Sequence, residues 1–149
     1  MDNLNVRIEL LHTVGGRILK PKYETLGSSG LDLRTSVDAL IEAGKWTLIP
    51  CGFKIEIPRG YEGQVRPRSG LANTLGLTIL NTPGTIDSDY RGEVKVILMN
   101  LSQNDVEISR LDRIAQLVIC PVAFVKLTVV KDIDETERGQ GGFGSTGVS

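Results

Sequence analysis

The segment GFKIEIP, residues 52–58, decides the fold class of this chain. Its large apolar residues alternate with Lys54 and Glu56, a period of two that predicts a strand with one buried face. Further strands are predicted from looser alternation or from β-branched composition in VRIEL at 6–10, EVKVILM at 93–99, VEIS at 106–109 and residues 122–130. Turn signals separate these stretches at short intervals. The sequence therefore predicts an all-β protein of the jelly-roll, sandwich or small-barrel type.

Two segments depart from the strand pattern. SGLANTL at 69–75 predicts one short helix, which Ser69 would cap and Gly76 would end. From Lys131 the chain becomes polar and then rich in glycine. We therefore expect a single functional domain, with a β-domain over residues 1–130 and a flexible C-terminal arm over residues 131–149.

The composition argues against several classes of function. The chain has 149 residues and a net charge of −1, whereas general binders of nucleic acid or membrane surfaces carry a basic excess. We find no secretory signal and no apolar run long enough for a bilayer, so we expect a cytoplasmic protein. Cys51 and Cys120 lie far apart and His12 is the only histidine, which predicts buried free thiols and argues against a zinc site.

The tail RGQGGFGSTGVS, residues 138–149, carries one phenylalanine among five glycines. Its G-x-G-x-x-G spacing would need a helix and a strand after Gly144, and only five residues follow, so we interpret the match as accidental. Two alternatives remain, an inert terminus and a flap that orders over a ligand. Phe143 could stack on a planar ligand, and Arg138 beside bare amides suits an anion.

The segment NTPGTIDSDYRGE, residues 81–93, lies between two apolar stretches. Its Pro83-Gly84 turn signal predicts a hairpin or a strand–loop–strand unit. The loop is dense in charge and includes Asp87, Asp89 and Arg91. Taken alone, it is either a solvated loop or part of a site.

Together with four other segments, this loop gives a specific resemblance. The five are SGLDL at 29–33, RPRSGLA at 66–72, GTIDSDYRGE at 84–93, RLDRIAQL at 110–117 and RGQGGFGSTG at 138–147. In this order and spacing the chain resembles the homotrimeric dUTP diphosphatases (dUTPases) over nearly its whole length. Ser29 stands where alanine is usual in that family. The resemblance implies a jelly-roll-like β-clip fold and sites at subunit interfaces.

The resemblance also implies a reaction, the hydrolysis of dUTP to dUMP and pyrophosphate by attack of water on the α-phosphorus. Asp87 would be the general base, and Tyr90 would lie against the deoxyribose and exclude a ribose 2′-OH. The uracil edge would be bound by Asn81 and the neighbouring backbone, residues Gly84, Thr85 and Ile86. Mg²⁺ would be the cofactor, with Asp32 reaching it through coordinated water. The removal of dUTP would keep uracil out of DNA, and the dUMP formed would supply dTMP synthesis.

The phosphates would be held by residues from three motifs. Phe143 would stack on the uracil ring as part of the lid. The remaining contacts implied by the resemblance are Arg68, Ser69, Gly70 and Gln116 in the body and Arg138, Gly144, Ser145 and Thr146 in the lid. Arg66 could bind phosphate or be structural. Arg110, Asp112 and Arg113 are expected to form ion pairs within or between subunits, with a role in catalysis left open as the alternative.

Three other functions stay open at this point. A dCTP deaminase would share the fold and could use Glu93. A non-catalytic binder of nucleotide or of a macromolecule could use the same trimeric scaffold. A serine hydrolase would need Ser69 with His12 as its base, and His12 has no motif around it.

Overall fold

In the computed structural model, residues 4–14 and 16–142 are described. Within these ranges the chain forms twelve strands and one helix. The elements are β1 Arg7–Leu10, β2 Thr13–Val14, β3 Arg17–Ile18, β4 Leu31–Arg34, β5 Ala39–Ile41, β6 Trp46–Glu56, β7 Tyr61–Arg66, α1 Ser69–Leu75, β8 Leu77–Ile79, β9 Gly84–Ile86, β10 Glu93–Asn100, β11 Val106–Ile108 and β12 Arg113–Pro121. None of the described helices is long and apolar enough to cross a bilayer.

Two four-stranded antiparallel sheets make up most of the structure. One has the strand order β1-β6-β10-β8 and the other β4-β12-β7-β9, and two smaller pairs, β11-β5 and β2-β3, complete it. The predicted all-β fold with one short helix is confirmed. Neighbours in these sheets are mostly far apart in sequence, which brings distant motifs together.

The core lies against the inner faces of the two large sheets. In β6, which is the longest strand, Phe53 and Ile55 are at most 3% exposed, as their alternation with charged residues predicts. They pack in one cluster with Val94 of β10 and Leu117 of β12. Burying each such side chain contributes about 1.5–3 kcal/mol to folding. The period of two in GFKIEIP thus fixes which face of β6 meets the core.

The start of the helix differs from the prediction. Arg68, not Ser69, occupies the N-cap position, because its backbone is extended (φ −94°, ψ 125°) whereas Ser69 already lies in the helix. No side chain caps this end. The predicted end is confirmed: Gly76 adopts a left-handed conformation (φ 66°), and its N–H donates to the Ala72 carbonyl.

The strand predicted over residues 122–130 is wrong. In the described structure no strand follows Pro121, and Phe124 and Val129 are 71% and 98% exposed. A β-branched run forms a strand only where a neighbouring strand takes up its hydrogen bonds, and this segment lacks one within the described chain. The domain boundary at residue 130 stays a prediction.

The segment 81–93 is a strand–loop–strand unit and not a hairpin. Its first strand, β9, pairs with β7, whereas β10 pairs with β6 and β8 in the other large sheet. The intervening loop, residues 87–92, therefore connects the two large sheets.

Candidate active site

A cleft of about 300 Å³ lies beside β4, β12 and the start of α1. Three of the five sequence motifs contribute to it. Its lining residues are Glu24, Ser28, Ser29, Gly30, Asp32, Arg68, Ser69, Gly70, Arg113 and Gln116. We call this region the polar cleft.

Strand register explains why Asp32 and Gln116 meet in the polar cleft. The two residues are direct partners in the β4–β12 pair, and Gln116 is also the partner of Arg66 in the β12–β7 pair. The Gln116 amide is fixed by donating from Nε2 to the Pro67 carbonyl at 2.9 Å. Gly30 makes room for it, since a Cβ on Gly30 would overlap Gln116 Oε1 and lie 3.0 Å from Gln116 Cβ.

Two arginines surround the Asp32 carboxylate, which is 11% exposed. Arg68 Nε lies 3.3 Å from Asp32 Oδ1, and Arg113 Nη1 lies 3.4 Å from Oδ2. Arg113 also lies 3.8 Å from Glu24. The arginine side chains are 26% and 40% exposed, so each could direct N–H donors towards an anionic ligand in the cleft.

The loop with Asp87 and Tyr90 follows β9 directly. Tyr90 N–H donates to the Asp87 carbonyl at 3.1 Å, which closes a turn. Arg91 Nη1 donates to the Ser88 and Tyr90 carbonyls, both at 2.8 Å. Asp87 is exposed and Tyr90 is 43% exposed. The turn thus presents a carboxylate and an aromatic ring to solvent.

This loop and the polar cleft are separate on the single chain. Neither Asp87 nor Tyr90 is among the described residues that line the cleft. Asp87 instead borders a wider hollow of about 700 Å³, together with Arg59, Asp89 and Phe124.

The predicted uracil-binding residues lie around β9. Gly84 and Ile86 are buried, and Thr85 between them is exposed. Asn81 is exposed and packs beside Gly84, where an added Cβ would lie 3.3 Å from Asn81 Nδ2. These residues are adjacent as predicted, and like Asp87 they lie outside the cleft lining.

Arg66 and Arg110 point to partners elsewhere. Arg66 Nη2 donates to Gln64 Oε1 at 2.5 Å and lies 3.7 Å from Cys120 Sγ. Arg110 pairs with Asp38 at 3.2 Å, and its backbone N–H holds the pKa of that carboxyl below its usual range. Neither arginine lines the polar cleft.

Asp112 makes a different contact from the expected ion pair, because its Oδ2 accepts the Ser109 N–H at 2.9 Å. Both cysteines are free thiols, as predicted. Cys51 is buried, as predicted, but Cys120 is only half-buried.

Of the predicted arm, residues 131–142 fall in the described chain. Arg138 is exposed, and its Nε donates to the Gly141 carbonyl at 2.8 Å. The other predicted lid residues, Phe143, Gly144, Ser145 and Thr146, lie outside the described residues.

Sequence reasoning missed Glu24 and Ser28 in the cleft lining. An isolated bridge between Lys22 and Asp32, in which Asp32 N–H donates to the Lys22 carbonyl at 2.9 Å, brings this segment to β4. No motif or periodicity marks that pairing. The serine hydrolase alternative finds no support, since His12 does not line the cleft that holds Ser69.

Comparison with protein families matches residues 17–147 to the dUTPase family. The deoxyuridine 5′-triphosphate nucleotidohydrolase of Rhizobium johnstonii is 52% identical over 151 residues, which cover 98% of this chain and 97% of that protein. The corresponding protein of Brucella melitensis biotype 1 is 56% identical over 133 residues, covering 87% and 85% of the two chains.

Solved structures agree with the sequence comparison. The dUTPase of Staphylococcus bacteriophage 80alpha with dUPNHPP superimposes with a TM-score of 0.87 at 26% identity, covering 97% of this chain and 99% of that one. A mutant dUTPase of Staphylococcus aureus phage phi11, described with a structural Mg(II) ion, shares the fold with a TM-score of 0.77 at 21% identity, covering 88% and 99% of the two chains. The motifs, the fold and these similarities together show that the chain belongs to the dUTPase family.

Proposed function

We propose that this chain hydrolyses dUTP to dUMP and pyrophosphate. The observation that carries the proposal is the polar cleft, where three motifs far apart in sequence bring together the residues Asp32, Arg68, Ser69, Gly70 and Gln116. Guanidinium, hydroxyl and amide donors are the groups that bind polyphosphate. The names of the relatives, and the dUPNHPP bound to the phage 80alpha dUTPase, support a uracil deoxynucleotide as the ligand.

In the proposed complex the cleft binds the phosphate chain. Arg68 would exchange its pairing with Asp32 for phosphate oxygens, and the Ser69 hydroxyl and Gly70 N–H would donate to neighbouring oxygens. Gln116 is already held by Pro67 and would contact the α-phosphate region. Groups fixed before binding stabilise charge in the transition state without further reorganisation.

Asp87 is the proposed general base. Its exposed carboxylate would orient a water molecule and take a proton from it while the water oxygen forms a bond to the α-phosphorus. The bond from the α-phosphorus to the oxygen that bridges to the β-phosphate breaks, and pyrophosphate leaves. Tyr90 would pack on the deoxyribose, and Asn81 would pair with the uracil edge. A wrong base would leave such polar groups unpaired, at a cost of about 1–3 kcal/mol each.

Mg²⁺ is the proposed cofactor. The described residues contain no cluster of three or more side chains that could ligate a metal ion. The donors present still suit Mg²⁺, because it prefers oxygen ligands and retains water, and Asp32 together with substrate phosphates would be sufficient. When bound, it would neutralise charge on the triphosphate.

We further propose that the active sites are shared within a homotrimer. The separation of the Asp87 loop from the polar cleft supports this, since a neighbouring subunit could bring the two together. The arm from residue 131 would then close as a lid, with Arg138 on the γ-phosphate and Phe143 on the uracil. Gly144, Ser145 and Thr146 would line the remaining oxygens. The reaction would keep uracil out of DNA and supply dUMP for dTMP synthesis.

The test is pyrophosphate release in Mg²⁺ from dUTP, dTTP, dCTP and UTP, measured in parallel. We expect release from dUTP, with Asp87→Asn lowering kcat by about 10²–10⁴-fold. Asp89→Asn is the matched control in the same exposed loop and should retain activity. Ammonia from dCTP would instead indicate a deaminase, and a wild type silent on all four nucleotides would indicate a non-catalytic scaffold.

A further inference from the structure

The ring of Tyr90 lies directly over Gly92. A Cβ built on Gly92 would overlap Tyr90 Oη and would lie 2.6 Å from Cζ and 3.0 Å from Cε2. Real Cβ atoms essentially never show contacts below 3.0 Å. Any side chain at position 92 would therefore displace the tyrosine ring.

The backbone does not require glycine at this position. The described glycines with positive φ are Gly16, Gly44, Gly52, Gly60, Gly76 and Gly139, and Gly92 is not among them. An alanine at 92 could thus adopt the same backbone conformation. What the glycine provides here is the space that the Tyr90 ring occupies.

Glu93 holds the same hydroxyl end of the ring. Tyr90 Oη donates to the Glu93 carbonyl at 3.0 Å. The Glu93 carboxylate in turn accepts the Gly52 N–H at 2.9 Å, beside the register shift between β10 and β6. Two hydrogen bonds through Glu93 therefore link the Tyr90 hydroxyl to Gly52 of β6.

We propose that Gly92 and Glu93 are positioning residues that hold the Tyr90 ring and thereby set the discrimination between deoxyribose and ribose nucleotides. This rests on the proposed function, in which Tyr90 packs on the sugar. When the Tyr90 ring is held in this position against the sugar, a ribose 2′-OH has no space. A displaced ring opens that space and gives the deoxyribose a poorer platform.

The test compares kcat/KM for dUTP and UTP in wild type and Gly92→Ala. We expect the dUTP/UTP ratio to fall by at least about tenfold, with KM for dUTP rising more than kcat falls. Gly27→Ala is the matched control, because an added Cβ at Gly27 meets nothing within 4 Å and its φ is not positive. That control should keep the wild-type ratio.

A double-mutant cycle separates positioning from general damage. If Gly92 acts through Tyr90, Gly92→Ala should have no further effect on the ratio in a Tyr90→Ala background. Glu93→Gln retains an acceptor for Gly52 N–H and should preserve the ratio, whereas Glu93→Ala should lower it. Thermal unfolding of each variant identifies any loss that comes from misfolding.

Three results would overturn the inference. The ratio could stay at its wild-type value in a folded Gly92→Ala, the two substitutions could act additively, or Glu93→Gln could be as damaging as Glu93→Ala. None of these three results would affect the proposed function, provided that the wild-type protein hydrolyses dUTP. A wild type silent on dUTP would overturn the proposed function, and this inference with it.

Discussion

At the scale of single residues, three side chains that we propose bind the substrate each pack against a glycine. Gln116 packs on Gly30, Asn81 packs on Gly84, and Tyr90 packs on Gly92. The φ of none of these three glycines is in the left-handed region. Their shared property is the missing Cβ, which allows polar and aromatic side chains to lie close to a neighbouring strand or turn.

Gly30→Ala should impair binding at the polar cleft. The new Cβ would overlap Gln116 Oε1, so the amide must leave its position beside Pro67. Misplacing a contact group by about 1 Å can cost up to 10²-fold, and we expect kcat/KM for dUTP to fall by about 10–100-fold. Steady-state kinetics with a thermal melt checks this. A folded variant with wild-type kinetics would show that the position of Gln116 is unimportant.

The two cysteines should differ in reactivity. Burial raises the pKa of the Cys51 thiol from 9.0 to about 12, with a smaller contribution from the nearby Glu93 carboxylate. At pH 8, iodoacetamide should therefore alkylate the half-buried Cys120 and leave Cys51 unmodified until the chain unfolds. Mass spectrometry of peptides from native and denatured protein reads this out. Equal labelling of both thiols in native protein would contradict it.

The same shift predicts a dependence of stability on pH. The folded state holds the Cys51 proton more tightly than the unfolded state, so this contribution is fully present below pH 9.0 and is lost as pH rises towards about 12. Urea unfolding of wild type and Cys51→Ala across this range should show a steeper decline for the wild type. Parallel pH profiles would rule out this contribution.

At the scale of elements, pairing between distant strands places the site residues, and one buried amide anchors a connection. Asn100, at the end of β10, is fully buried, and its side chain makes four hydrogen bonds. Its Nδ2 donates to the carbonyls of Ile41 and Asn104, and its Oδ1 accepts from Ser102 N–H and Ser102 Oγ. This network fixes the turn between β10 and β11 against the end of β5.

Asn100→Ala should destabilise the fold without altering the chemistry. It leaves buried polar groups without partners, for which we expect the free energy of unfolding to fall by about 2–4 kcal/mol. Asn100→Asp keeps the shape but faces a carboxylate towards two carbonyls, so it should be at least as damaging. Gln103→Ala, at an exposed position in the same turn, is the control. Urea unfolding measures the free energy of unfolding of all three variants. If Asn100→Ala lost no more stability than Gln103→Ala, the network would be dispensable.

How much of this could be predicted from sequence follows from the range of each interaction. The buried face of β6 and the end of α1 at Gly76 depend on local patterns and were predicted correctly. The N-cap at Arg68 depends on where the extended backbone turns helical, which composition does not show. The absence of a strand over residues 122–130 depends on a missing neighbour, and the place of Glu24 depends on one isolated bridge.

At the scale of the whole molecule, subunit mixing tests the proposed shared site. Asp87→Asn and Arg68→Ala each disable a different half, so each variant alone should be inactive. Refolded together in equal amounts, random assembly would combine an intact Asp87 with an intact Arg68 in about one quarter of the sites. We expect about a quarter of wild-type activity from the mixture, and sedimentation should report a trimer. A mixture as inactive as its components would place both residues in the site of one chain.

The loop of residues 87–92 leaves one large sheet through β9 and enters the other through β10. A change in the spacing or angle of the two sheets therefore moves β9 and β10, which hold the two ends of this loop, relative to each other. Core side chains between the layers, such as Val94 and Leu117, would then set the spacing of the loop that carries the proposed general base. Conservative repacking there should alter KM for dUTP before it unfolds the chain, and bound nucleotide should slow amide hydrogen exchange in the core.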